Sequence, residues 1–144
     1  ITRIKQLQGR IFEKLLTAHG ISEFNGAQGR ILFVLWEQDG ILISELARKT
    51  GLAKTTLTSM LDRMEQRELI ERVYSPSDRR SVKIRLTKRA AGLQAHYEQV
   101  SEEMHQIFYK GFSDEEIRSL EKGLGKVLAN LTEKEDHTYG NQHD

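Results

Sequence analysis

Lys54, Thr55, Thr58, Ser59 and Arg63 fall on one face of a helix-forming stretch, with Thr56 at its border. Asp78, Arg79 and Arg80 follow in the polar run SPSDRRS of residues 75–81. Hydroxyls and cations in this combination suit duplex DNA. Hydroxyls and methyls meet base edges, while cations neutralise phosphates and fix register. The unpaired amides at the start of a helix near Lys54 add partial positive charge. A guanidinium on a loop tip can enter the narrow minor groove, where the negative potential is strongest. Asp78, two residues before Arg80, is expected to hold that side chain extended.

The charge distribution supports the same partner. The whole chain of 144 residues has a net charge of +1. Residues 41–92, however, carry 12 Lys/Arg against 6 Asp/Glu, and residues 93–144 carry 5 against 11. A basic middle before an acidic end points to an anionic partner for the middle alone.

The elements that must position these side chains follow from periodicity. Ile4, Leu7, Ile11 and Leu15, widened by Phe12 and Leu16, make a first helix that Gly20 ends. Asn25 and Gln28 have capping-box spacing ahead of a helix over 26–38 that is apolar nearly all round. A short helix over 44–50 stops at Gly51, and another runs from Lys54 to Arg67 on Leu57, Met60, Leu61 and Met64. Two such helices about a glycine turn read as helix-turn-helix. The period then drops to two. Val82, Ile84 and Leu86 alternate with Lys83, Arg85 and Thr87, and 69–74 is the partner strand. Leu93, Tyr97, Val100, Met104 and Ile107 form a heptad-like seam, and Ser113 with Glu116 is a second capping box before a helix to Leu131. The long flanking helices need a surface, which a second copy of the chain supplies. Ile4, Leu7, Ile11, Ile117, Leu120, Leu124 and Leu128 are the candidate dimerisation residues, together with the seam.

The run DRRSVKIRLT, Asp78 to Thr87, resembles the wing signature of the MarR family of winged-helix regulators. The likeness extends upstream through ISELARKTGLAKTTLTSMLDRMEQRELIERV, and the helix order agrees over residues 4–133. It implies a mainly α fold, a winged helix-turn-helix with a small β-hairpin wing and long terminal dimerisation helices. It also implies that 54–67 reads the major groove and that Arg80 reaches the minor groove. Many members are repressors released by small, often anionic aromatic ligands held between dimer helices and DNA-binding module. Phe12, His19 and Trp36 are the candidate lining residues here, and each fits a core or junction role equally well.

Three positions depart from the family pattern. Glu68 stands where glycine is usual, and a left-handed Glu costs about 1 kcal/mol, so a different helix end is expected. Ser59 replaces a frequent arginine. Lys88-Arg89-Ala90 replaces an acidic–Lys–Gly run.

Other chemistries find little support. The chain has no cysteine, which excludes disulfides, thiolate metal sites and thiol catalysis. Its five histidines show no zinc spacing, and Glu102-Glu103-Met104-His105 is the nearest approach to a metal site. There is no nucleophile elbow, P-loop or nucleotide fingerprint, so neither an enzyme nor a cofactor is expected. No membrane-length apolar run or leader pattern is present, and a cytoplasmic protein is expected.

The expected organisation is one domain over 1–133, comprising a winged helix-turn-helix at 26–87 with dimerisation helices at 1–24 and 88–133, then a disordered tail over 134–144. The expected function is a ligand-responsive repressor that binds double-stranded DNA as a homodimer. An interaction module without DNA binding and a metal-responsive regulator are the competing readings. The basic wing tip argues against the interaction module.

Overall fold

The structure, a computed structural model, describes residues 1–78 and 80–139. Arg79 and residues 140–144 of the expected tail lie outside the described residues. The order is α1 (Thr2–Ala18), α2 (Gly26–Glu37), β1 (Ile41–Leu42), α3 (Ile43–Thr50), α4 (Lys54–Gln66), β2 (Ile70–Tyr74), β3 (Val82–Leu86), α5 (Lys88–Ala91), α6 (Gln94–Phe108) and α7 (Asp114–Tyr139). Residues 1–105 form one compact unit and residues from 106 onward a second.

In the first unit α2 is central. The Asn25 side chain accepts from the Gln28 amide at 2.8 Å, and the Gln28 side chain accepts from the Asn25 amide at 3.1 Å. Two orphan donors of the first turn are thereby satisfied. Ile31, Leu32 and Leu35 of α2 are fully buried against Leu46, Leu57, Leu61, Met64 and Ile84. Gly51, at φ 70°, makes the left-handed turn between α3 and α4. The sheet is antiparallel with strand order β1-β3-β2 and pairs Ile70 with Leu86 and Arg72 with Ile84. Ile84 is buried while its neighbours Lys83 and Arg85 are exposed, as the alternation requires.

Four features differ from the sequence expectation. First, β1 and α5 are additional elements; β1 pairs Ile41 with Ile84, and the Thr87 side chain caps α5 by accepting from the Ala90 amide. Second, α4 ends in the left-handed manner after all. Glu68 lies at φ 61°, and the Glu68 and Leu69 amides donate to the Glu65 and Met64 carbonyls, both at 3.0 Å. This is the closing geometry that glycine usually supplies. Third, the seam on α6 packs inside its own chain. Val100 and Met104 are buried, and Leu93 and Tyr97 pack on the core, so little of that stripe remains for a second copy. Fourth, α7 continues through residues 134–139, where the tail was expected to be disordered. Lys134 and Glu135 are good helix formers, and neither glycine nor proline occurs over residues 134–139.

In the second unit, the Ser113 hydroxyl accepts from the Glu116 amide and the Glu116 carboxylate from the Ser113 amide, both at 3.1 Å. Leu120, Leu124, Leu128 and Leu131 then run along α7 as an uncovered stripe, with exposures from 37% to 67%. Among the described residues, no helix is long and apolar enough to cross a membrane.

Candidate nucleic-acid interface

Burial of Leu57, Leu61 and Met64 orients α4, and the opposite face is left to solvent. Lys54, Thr55, Thr58, Ser59 and Arg63 are all exposed on it. Among the described residues no side chain caps the helix at Ala53, so its first-turn amides retain their partial positive charge. Among the described residues, neither Lys54 nor Arg63 has an ion-pair partner. The Thr58 hydroxyl donates to the Lys54 carbonyl at 2.8 Å. Its proton is therefore engaged, leaving lone pairs to accept from a base amino group and a methyl to meet thymine.

The wing loop closes through the Ser75 amide on the Ser81 carbonyl at 3.2 Å and the Ser81 amide on the Asp78 carbonyl at 3.0 Å. Asp78 Oδ1 accepts from the main-chain N–H of Arg80 at 2.9 Å. The expected buttress thus acts on the backbone and not on the guanidinium. A short Asp side chain two residues back favours this Asx turn over reaching the end of an arginine. Arg80 is exposed, and its side chain has no partner among the described residues. Arg79 lies outside the described residues.

Sequence reasoning missed Arg72. From β2, its Nη2 donates to Asp62 Oδ1 at 2.7 Å and, at 3.4 Å, to the Thr58 carbonyl; its Nη1 donates to Glu65 Oε1 at 3.2 Å. The Arg72 amide also donates to Glu65 Oε2 at 3.3 Å. A signal was present: Asp62 and Glu65, three residues apart on one helix, make a site where a nearby cation is favoured.

The three candidate pocket residues lie at the junction of α1, α2 and α6. Phe12 and Trp36 pack on Tyr97 with ring centroids 5.8 and 5.1 Å away, and Phe24 and Phe33 complete the cluster. The Trp36 indole N–H is already donated to the Ala90 carbonyl at 3.0 Å. His19 stands apart, its Nε2 2.7 Å from Glu103 Oε2, and joins the end of α1 to α6. Burial raises the Tyr97 phenol above its ordinary pKa of 10.0, against the opposing pull of a Ser101 hydrogen bond and the Arg30 charge. Among the described residues, no three metal-ligating side chains gather.

Residues 24–82 match the family model described as MarR family. The HTH-type transcriptional regulator YsmB of Bacillus subtilis is 36% identical over 100 residues, covering 69% of this chain and 68% of its own. A mutant MarR from E. coli, solved in complex with operator DNA, superposes with a TM-score of 0.80 at 29% identity, covering 89% of this chain and 90% of that one. The MepR–DNA complex of S. aureus has the same fold, with a TM-score of 0.79 at 24% identity over 90% of this chain and 93% of that one.

Proposed function

This chain belongs to the MarR family, and on that premise we propose that it is a cytoplasmic, homodimeric repressor that reads a pseudo-palindromic DNA duplex and is released by a small ligand. The observation that carries the reading is the state of α4. Its hydroxyl- and cation-bearing face is exposed, its first turn has no cap from the Ala53 side chain, and among the described residues Lys54 and Arg63 are not tied to carboxylates. In a winged helix such a face enters the major groove while the wing arginine enters the adjacent minor groove. That a relative of 29% identity was solved with operator DNA supports the same docking.

Assembly follows from what the chain leaves uncovered. Ile4 and Leu7 on α1 and Leu120, Leu124 and Leu128 on α7 are exposed, with Ile11 and Ile117 half-buried beside them. A second copy covers such stripes at lowest cost under two-fold symmetry. Two reading helices then face half-sites about 34–36 Å apart. A small anionic aromatic molecule is the effector class proposed. The rings of Phe12 and Trp36 supply stacking surface, while His19 lies apart from them, paired with Glu103.

Selection of binding sites from random duplex, followed by competition against random duplex at two salt concentrations, tests the reading. A selected sequence with inverted symmetry and salt-dependent affinity is expected. Enrichment of no sequence would overturn it and leave the protein-interaction reading in its place.

A further inference from the structure

Arg72 contributes no side chain to the DNA-facing surface, yet it joins the two parts of that surface. Its side chain is 12% exposed, while those of its partners Asp62 and Glu65 are 59% and 46% exposed. We propose that Arg72 is a positioning residue for base reading, holding α4 at one fixed geometry to the wing hairpin; this rests on the DNA-binding reading above.

The strand β2 lies at the edge of the sheet, and its amide at Arg72 would otherwise be open. Glu65 takes that amide with one oxygen and the guanidinium with the other, at 3.3 and 3.2 Å. Asp62, one turn earlier on the helix, takes the second terminal nitrogen at 2.7 Å, and the Thr58 carbonyl lies 3.4 Å from the same atom. A single planar fork therefore ties three levels of α4, at residues 58, 62 and 65, to one strand position. Those levels include Thr58, which faces the base edges. The same strand continues into the loop that carries Arg80, so the spacing of the two reading elements passes through this contact.

The charge pattern points the same way. Asp62 and Glu65 would repel phosphate if left alone on α4, and the guanidinium pairs with both and offsets half of their charge. A lysine at this position would keep the charge and lose the fork, because one ammonium cannot span acceptors placed for a planar guanidinium.

The full chain, in a DNA competition assay against the selected duplex and random duplex of equal length, tests this, with circular dichroism reporting that each variant is folded. Arg72→Lys should weaken the selected duplex by roughly tenfold, leaving random-duplex affinity and the salt slope as in the unaltered chain. Glu65→Ala, at an exposed helix position, should move the two in opposite directions. Random-duplex affinity rises because a negative charge is gone, and discrimination falls because the clamp is half lost. A purely structural contact would not split the two readouts. If Arg72→Lys fails to fold, Glu65→Ala carries the test alone. Unchanged discrimination in the folded variants would overturn the proposal. So would a salt slope lowered by about one in Arg72→Lys, which would make Arg72 a phosphate contact. If the unaltered chain itself shows no preference for any duplex, it is the DNA-binding reading that has failed, and the positioning role falls with it.

Discussion

The Thr87 hydroxyl donates to the Glu68 carbonyl at 2.7 Å while accepting from the Ala90 amide at 3.2 Å. One side chain thus holds the end of α4 and starts α5. Arg89 adds a second brace, donating to the Arg67 carbonyl at 2.8 Å. Glu68 keeps its left-handed backbone, at φ 61°, because the carbonyls on both sides of the turn are gripped from the segment after β3. Two departures from the family pattern, Glu68 and the Lys88-Arg89-Ala90 run, therefore meet at one turn.

This turn should show the strain directly. Glu68→Gly removes a steric cost of about 1–2 kcal/mol and adds back roughly 0.5–1 kcal/mol of unfolded-state entropy, a net gain of up to about 1.5 kcal/mol in urea unfolding. Arg89→Ala should cost about 1 kcal/mol alone, and less after Glu68→Gly. Strictly additive effects would show that Arg89 does not brace Glu68.

The proposed DNA face should separate into contacts of different kinds. Arg80→Ala should cost specific binding about 1–3 kcal/mol and remove the advantage of A·T-rich flanks. Lys54→Ala should weaken all duplexes alike and lower the salt slope by about one. Thr58→Ala should relax preference at particular bases, because only its oxygen and methyl are available to DNA. Competition titrations at two salt concentrations measure all three. Equal affinities across these variants would contradict the assigned face.

Asp78→Ala tests the wing turn separately. Because Asp78 bonds the Arg80 amide, its loss should loosen the loop and reduce specific binding, even though removing a negative charge helps nonspecific binding. Specific and nonspecific affinity rising together would show that the turn does not matter for reading.

Leu128 is 67% exposed, so Leu128→Glu cannot unfold a monomer by burying charge. If α7 pairs with a second copy, the unaltered protein should sediment at twice the monomer mass of 16.6 kDa and the variant should dissociate. A folded monomer of the unaltered chain at micromolar concentration would dispose of the dimer.

The aromatic junction offers a packing test and a pH test. A Cβ added at Gly29 would lie 2.8 Å from Tyr97 Cε2 and 3.1 Å from Phe24 Cε2, so Gly29→Ala should destabilise by about 1–3 kcal/mol. An unchanged melting temperature would show that the rings give way freely. The Tyr97 phenol has a raised folded pKa, so its contribution to stability is full below the unfolded value of 10.0 and lost as pH rises through the folded one. Tyr97→Phe should flatten that alkaline fall, and an identical pH profile would remove Tyr97 as its source.

Local patterns were legible in the sequence wherever the partners lie within one turn or one strand. Both capping boxes, Asn25 with Gln28 and Ser113 with Glu116, depend on a spacing of three residues and formed as read. The alternation over 82–86 and the solvent face of α4 follow from periods of 2 and 3.6, because burying one face exposes the other. Tertiary structure decided what periodicity cannot carry. The two residues of β1 are a strand only because Ile84 and Lys83 lie opposite them. The α6 stripe announced burial without naming the partner, and Val100 and Met104 found it in their own chain. Glu68 holds a backbone that its side chain disfavours, because Thr87 and Arg89, about twenty residues later, donate to the Glu68 and Arg67 carbonyls. Arg72 reaches Glu65 and Asp62 seven and ten residues earlier, across a strand and a helix that only folding brings side by side. Hydrogen bonds and charges act through space over a few ångströms, and distance along the chain fixes that separation only within a single element.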